Sequence, residues 1–74
     1  IEFDLPMTDN VSLIIYDISG KEVIELVNGS VAPGRYNVTW NALDRQGMQV
    51  SSGVYIYHFK SSTQNVTRKM LLMR

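Results

Sequence analysis

Apolar and polar side chains alternate in steps of two along most of this chain. Val11, Leu13 and Ile15 share one parity and Ser12 takes the other; Tyr36, Val38 and Trp40 alternate with Asn37 and Thr39; Tyr55, Tyr57 and Phe59 alternate with Ile56 and His58. A period of two places every second side chain on one face of a strand, so these stretches predict half-buried β-strands. No window sustains apolar spacings of three and four, and the segments are rich in β-branched and aromatic residues, which leaves helix without support. Turn-forming clusters punctuate the pattern at Thr8-Asp9-Asn10, Ser19-Gly20-Lys21, Asn28-Gly29-Ser30, Ala32-Pro33-Gly34, Asp44-Arg45-Gln46-Gly47, Ser51-Ser52-Gly53 and Ser61 to Asn65. Strands are expected near Ile1 to Leu5, Val11 to Asp17, Glu22 to Leu26, Tyr36 to Asn41, Val54 to Lys60 and Val66 to Met73, with a short piece around Met48 to Val50. Turn signals about every 8–12 residues between short strands predict an all-β, antiparallel β-sandwich of six to seven strands.

Two segments repeat one pattern, Gly-x-Tyr-x-apolar-x-aromatic: Gly34 to Trp40 and Gly53 to Phe59. A glycine can take the positive φ that turns a chain into a strand, and a tyrosine two positions on can face the core while its hydroxyl reaches a loop backbone. The second copy is similar to the tyrosine corner of immunoglobulin-like domains. Two local copies are too few for a solenoid, so they read as strand-opening chemistry.

Composition narrows the function classes. A chain of 74 residues is one domain with a small core, which disfavours a deep substrate pocket. Seven basic residues balance seven acidic ones, so the chain carries no electrostatic footprint for nucleic acid. The absence of cysteine excludes thiolate metal sites, cysteine nucleophiles and a disulfide framework. The longest apolar stretch falls far short of the ~20 residues needed for a transmembrane helix, and no export leader is recognisable within the sequence.

Candidate chemistry is sparse. His58 is the only histidine, and its parity opposite Tyr57 and Phe59 predicts a solvent-facing strand position, not a ligand or a catalytic base. Asn41, Asp44 and Gln46 lack the spacing of a calcium loop and read as a self-bonded turn. Asp4, Asp9, Asp17, Glu22 and Glu25 form no evident catalytic pair, and Ser51-Ser52-Gly53 lacks the following helix of a nucleophile elbow. The triplets at Asn10, Asn28, Asn37 and Asn65 match the glycosylation pattern but are expected by chance in a chain this rich in Asn, Ser and Thr. Tyr36, Trp40, Tyr55 and Tyr57 share parity with aliphatic neighbours, which favours a core role over a sugar-binding platform. Together these features predict neither enzyme activity nor a cofactor.

Val11 to Val23, Pro33 to Asn41, Gly47, Ser52 to Tyr57 and Lys69 to Leu72, taken in order, resemble the type A C-terminal sorting domain of type IX secretion cargo. The same blocks are similar to the immunoglobulin-like domain of flagellar hook-capping proteins. The resemblance implies an immunoglobulin-like sandwich over residues 1–74, excised from the C-terminus of a larger secreted protein. It implies passage through the periplasm to the cell surface of a Gram-negative bacterium. The implied partners are the outer-membrane secretion translocon, a surface sortase-like protease that removes the domain, and upstream cargo domains. In that family the final strand is closely tied to recognition, and Lys69, Met70, Leu71 and Leu72 occupy it here. One departure is that the chain opens inside a strand pattern at Ile1, without the Asn-Pro-rich segment usual in the family.

A terminal strand can act as a signal without reference to any family. Its free main-chain donors and acceptors can receive a partner strand, and alternate side chains confer selectivity. Arg68, Lys69 and Arg74 supply local positive charge on a neutral chain. Edge lysines also guard against unwanted pairing, and Met70 to Met73 suit a core or rim. Two functions are therefore weighed: a sorting signal read through Arg68, Lys69, Met70, Leu71, Leu72 and Arg74, and a structural or adhesive immunoglobulin-like module serving as spacer, assembly unit or carbohydrate binder, with strand-mediated self-association available to either.

Overall fold

In the computed structural model, which describes residues 1–73, the alternating segments form two sheets. The strands are β1 (Glu2–Leu5), β2 (Asp9–Asp17), β3 (Glu22–Val31), β4 (Gly34–Asn37), β5 (Gly53–Lys60) and β6 (Asn65–Leu72). β3, β2, β5 and β6 make a four-stranded sheet in that order, and β1 pairs with β4 in a two-stranded one. All neighbours are antiparallel. Arg74 lies outside the described residues.

The core is where the parity of the sequence places it. Val11, Leu13 and Ile15 of β2 are buried, as are Tyr55 and Phe59 of β5 and Phe3 and Leu5 of β1. Phe3 joins the layers: its ring lies 5.3 Å from that of Tyr36 and 4.7 Å from that of Phe59, centroid to centroid. Leu13 and Ile15 are 0% exposed, and full burial of one such side chain contributes about 1.5–3 kcal/mol.

Several strand boundaries depart from the sequence expectation, those of β3, β2 and β4 by two residues or more. β3 continues five residues beyond Leu26, through the Asn28-Gly29-Ser30 cluster expected to turn. β2 starts early, at Asp9, and pairs Asn10 with Ser30, Val11 with Gly29 and Ser12 with Asn28; a waiting ladder overrides local turn propensity. The chain changes sheets instead at Ala32-Pro33, where proline cannot donate to a ladder. β4 stops at Asn37, although Val38 still exchanges backbone hydrogen bonds with Ile1 at 2.7 and 2.9 Å. Beyond it the Trp40 indole donates to the Leu43 carbonyl at 2.9 Å and sets its ring edge-on to Tyr55, pulling the chain out of the sheet. The Met48 to Val50 piece is reduced to one isolated bridge between Leu43 and Gln49.

Both Gly-x-Tyr copies behave alike. Gly34 and Gly53 open β4 and β5 at φ 150° and 154°, a region costly to residues with a Cβ. The Tyr36 hydroxyl then donates to the Ala32 carbonyl and the Tyr55 hydroxyl to the Ser51 carbonyl, each at 2.7 Å. Each bond pins the turn to the strand that follows it.

Candidate functional site: the β6 edge

Among the described residues β6 pairs only with β5 and forms an edge of the larger sheet. Its position is set by the β5–β6 hairpin. The buried Ser61 donates its amide to the Gln64 carbonyl at 2.9 Å, while its hydroxyl oxygen accepts from the Gln64 amide at 3.1 Å. Ser62 ties this hairpin to the start of β2: its hydroxyl and amide donate to Asp9 Oδ2 at 2.7 and 3.1 Å. The Ser62 hydroxyl bond is the main reason that the Asp9 carboxyl is held below its usual range. Gln64 adds a link to the second layer by donating to the Asp4 carbonyl at 3.1 Å. From this anchored hairpin β6 runs in unbroken register, from Asn65 opposite Lys60 to Leu72 opposite Gly53.

Directly opposed residues in an antiparallel pair share a face. Val66, Arg68, Met70 and Leu72 therefore lie on the inner face with Phe59, Tyr57, Tyr55 and Gly53, whereas Thr67, Lys69 and Leu71 lie on the outer face with His58, Ile56 and Val54. Met70 and Leu72 are half-buried, Arg68 and Lys69 are exposed, and Leu71 is 69% exposed. The positive charge expected as a local cluster is thus a belt that straddles the edge, one charge per face. Neither Arg68 nor Lys69 has an ion-pair partner among the described residues. Arg74, the sixth residue of the expected signal, falls outside them.

Only two strands cover the inner face of four. Beside β6 this leaves an open groove of about 250 Å³, lined chiefly by Ile1, Val38, Trp40, Met70 and Leu72. The sequence pattern identified Met70 and Leu72 as candidates but not the groove, whose opposite wall comes from residues distant in the chain.

The other candidates are placed as structural groups. His58 lies half-buried on the outer face, with Nε2 2.6 Å from the Asn65 side-chain oxygen. Asp44 accepts from the Gln46 and Met48 amides, each at 3.0 Å, which closes its own loop. Asp17 does the same for the β2–β3 turn. It accepts from the Ser19 hydroxyl at 2.6 Å and from the Ser19 and Lys21 amides, and these bonds, the Ser19 hydroxyl first, lower its pKa. Among the described residues no group of His, Cys, Asp or Glu is arranged to hold a metal ion, and no helix is long and apolar enough to cross a membrane. Tyr55 is buried and Tyr36 packs on Phe3, in keeping with the core reading of these aromatics.

Two antiparallel sheets packed face to face, with tyrosines pinning the turns into their strands, define an immunoglobulin-like β-sandwich module. The chain belongs to the FlgD Ig-like domain family, which matches residues 2–65. This is a family of non-catalytic modules. Comparisons with curated proteins and with solved structures give no match. The matched span ends at the first residue of β6.

Proposed function

We propose that this domain is a non-enzymatic sorting signal, read through β6, that directs an attached cargo across the outer membrane of a Gram-negative bacterium by type IX secretion. The observation that carries the proposal is the β6 edge itself: eight residues in unbroken register, open on one side and crossed by a basic belt that has no ion-pair partner among the described residues. Such an edge offers main-chain hydrogen bonds for affinity and alternating side chains for selectivity. In this reading the outer-membrane translocon binds Arg68, Lys69, Met70, Leu71, Leu72 and Arg74, a surface sortase-like protease then releases the cargo, and the cargo stays at the cell surface. The resemblance of the ordered sequence blocks to type IX sorting domains supports the same assignment.

The test is export of a fluorescent reporter carrying an N-terminal leader and this 74-residue chain at its C-terminus. Release from a bacterium with type IX machinery, and periplasmic retention in a strain without it, is the expected result. Export that persists when residues 66–72 are scrambled in a domain that still folds would overturn the role of β6.

Membership of the FlgD Ig-like domain family favours a second reading, a structural or assembly module that serves as a spacer or self-association unit. That reading expects indifference to the β6 side chains as long as the sandwich folds. Retention of the reporter in both strains would favour it.

A further inference from the structure

The chemistry of the β6 edge restricts what can pair with it. An antiparallel two-fold pairing of two copies keeps inner face beside inner face, and directly opposed residues must share a face. About the middle of β6 the two-fold therefore sets either Arg68 against Arg68 of the second copy or Lys69 against its own counterpart. Like charges directly opposite one another are destabilising, so the middle of this edge rejects a copy of itself. Neither cation is neutralised by a described acid of its own chain, and each points to a different face of the sheet.

From this geometry we infer that β6 is built to receive an extended acidic–apolar segment of another protein, added antiparallel as the next strand. The inference rests on the proposal that β6 is the recognised strand, and it specifies the partner's chemistry. Opposite Arg68 and Lys69 the added strand carries two consecutive carboxylates, one per face. Opposite Met70 and Leu72 it carries apolar side chains, which enter the groove against Val38 and Trp40. Because the added strand runs antiparallel, its sequence reads apolar-x-apolar-acid-acid from N- to C-terminus. The parity is demanding. A slip of one residue sends the apolar side chains to the outer face and sets an apolar residue against Lys69.

The probe is a capped peptide, Thr-Val-Thr-Val-Glu-Glu-Val-Thr, titrated into the whole chain while backbone amide shifts are followed by NMR. A second peptide carries Lys in place of both Glu. The expected result is perturbation centred on the Val66 to Leu72 amides by the Glu peptide, weakened by salt, with affinity about tenfold above that of the Lys peptide. The double variant Arg68→Glu/Lys69→Glu should invert the preference while keeping the fold. Equal affinity for the two peptides, perturbation centred on β3, or no β6 perturbation at about 1 mM Glu peptide overturns the inference. The reporter separates this failure from that of the parent reading. Normal export of the charge-reversed fusion, with export still blocked by scrambling β6, leaves β6 recognition standing and removes the acidic partner. Failure to export the unaltered fusion removes the sorting role and leaves the peptide titration to decide the chemistry of the edge.

Discussion

The two edges of the four-stranded sheet solve one problem in different ways. β3 and β6 both expose main-chain groups along a free side, a standing invitation to unwanted pairing. β3 is blunted by geometry. Its register against β2 shifts twice, between Leu13 and Ile14 and between Ile15 and Tyr16, and bulges twist an edge away from a flat partner. Its first residue is also engaged by the Asp44 to Met48 loop, where Arg45 Nη2 meets Glu22 Oε2 at 2.9 Å. β6 has no register shift, so charge alone guards it. A bulge excludes every partner, whereas a charge excludes only partners of the same sign or of none. The edge guarded by charge is the one that can be selective.

The largest effect comes from a central strand of the four-stranded sheet. Leu13→Ala in β2 should cost about 2–5 kcal/mol, most of the stability of a domain this small, and urea denaturation should show both edges lost together. A proline scan separates the edges. In β6, proline at Thr67, Arg68, Lys69 and Met70 in turn should alternate between mild loss and loss of roughly 3 kcal/mol, as the missing N–H points outward or toward β5. In β3, the same scan from Ile24 to Val27 should lose that strict alternation at the bulge, which a set of thermal melts would reveal.

The Tyr55 and Tyr36 hydroxyl bonds come next. Tyr55→Phe should cost about 1 kcal/mol and Tyr36→Phe less, because the bond of Tyr36 is exposed and that of Tyr55 partly buried. Neutralising β6 with Arg68→Thr and Lys69→Thr should change stability by under about 0.5 kcal/mol yet promote self-association in sedimentation experiments. Glu25→Thr on the bulged edge should leave the chain as it was.

The smallest effect concerns pH. Asp17 closes the hairpin leading to β3, and Asp9 holds the hairpin leading to β6. Both have pKa values below the unfolded value of 3.8, so their stabilisation is complete above that pH and fades as the pH falls through the folded values. The melting temperature should therefore decline in acid, less steeply in Asp9→Asn and Asp17→Asn. Amide exchange should rise at the β5–β6 hairpin in the first variant and at the β2–β3 hairpin in the second.

Much of this was legible in the sequence. Period-two alternation located β2, β4 and β5, the turn clusters between them marked out the remaining strands, and the Gly-x-Tyr pairs announced the hydroxyl-to-backbone bonds found at Tyr36 and Tyr55. Self-bonding of Asp44 followed from its turn composition. These features depend on neighbours within a few residues, and local physics suffices for them. The β3 extension was hidden because Asn28-Gly29-Ser30 looks like a turn until β2 supplies a ladder at Asn10 to Ser12. The Ser62–Asp9 and Gln64–Asp4 links that anchor β6 were hidden too, since they join residues 53 and 60 positions apart.

The sequence by itself determined the all-β character of the chain, the faces of its strands and the basic character of its last one, because side-chain parity and turn chemistry act locally. Only the tertiary structure decided that β6 is an edge, that Arg68 and Lys69 straddle it, and that a groove opens between Met70, Leu72 and Trp40. Strand order and the incomplete cover of two strands over four are set by contacts between distant segments, and no local pattern records them.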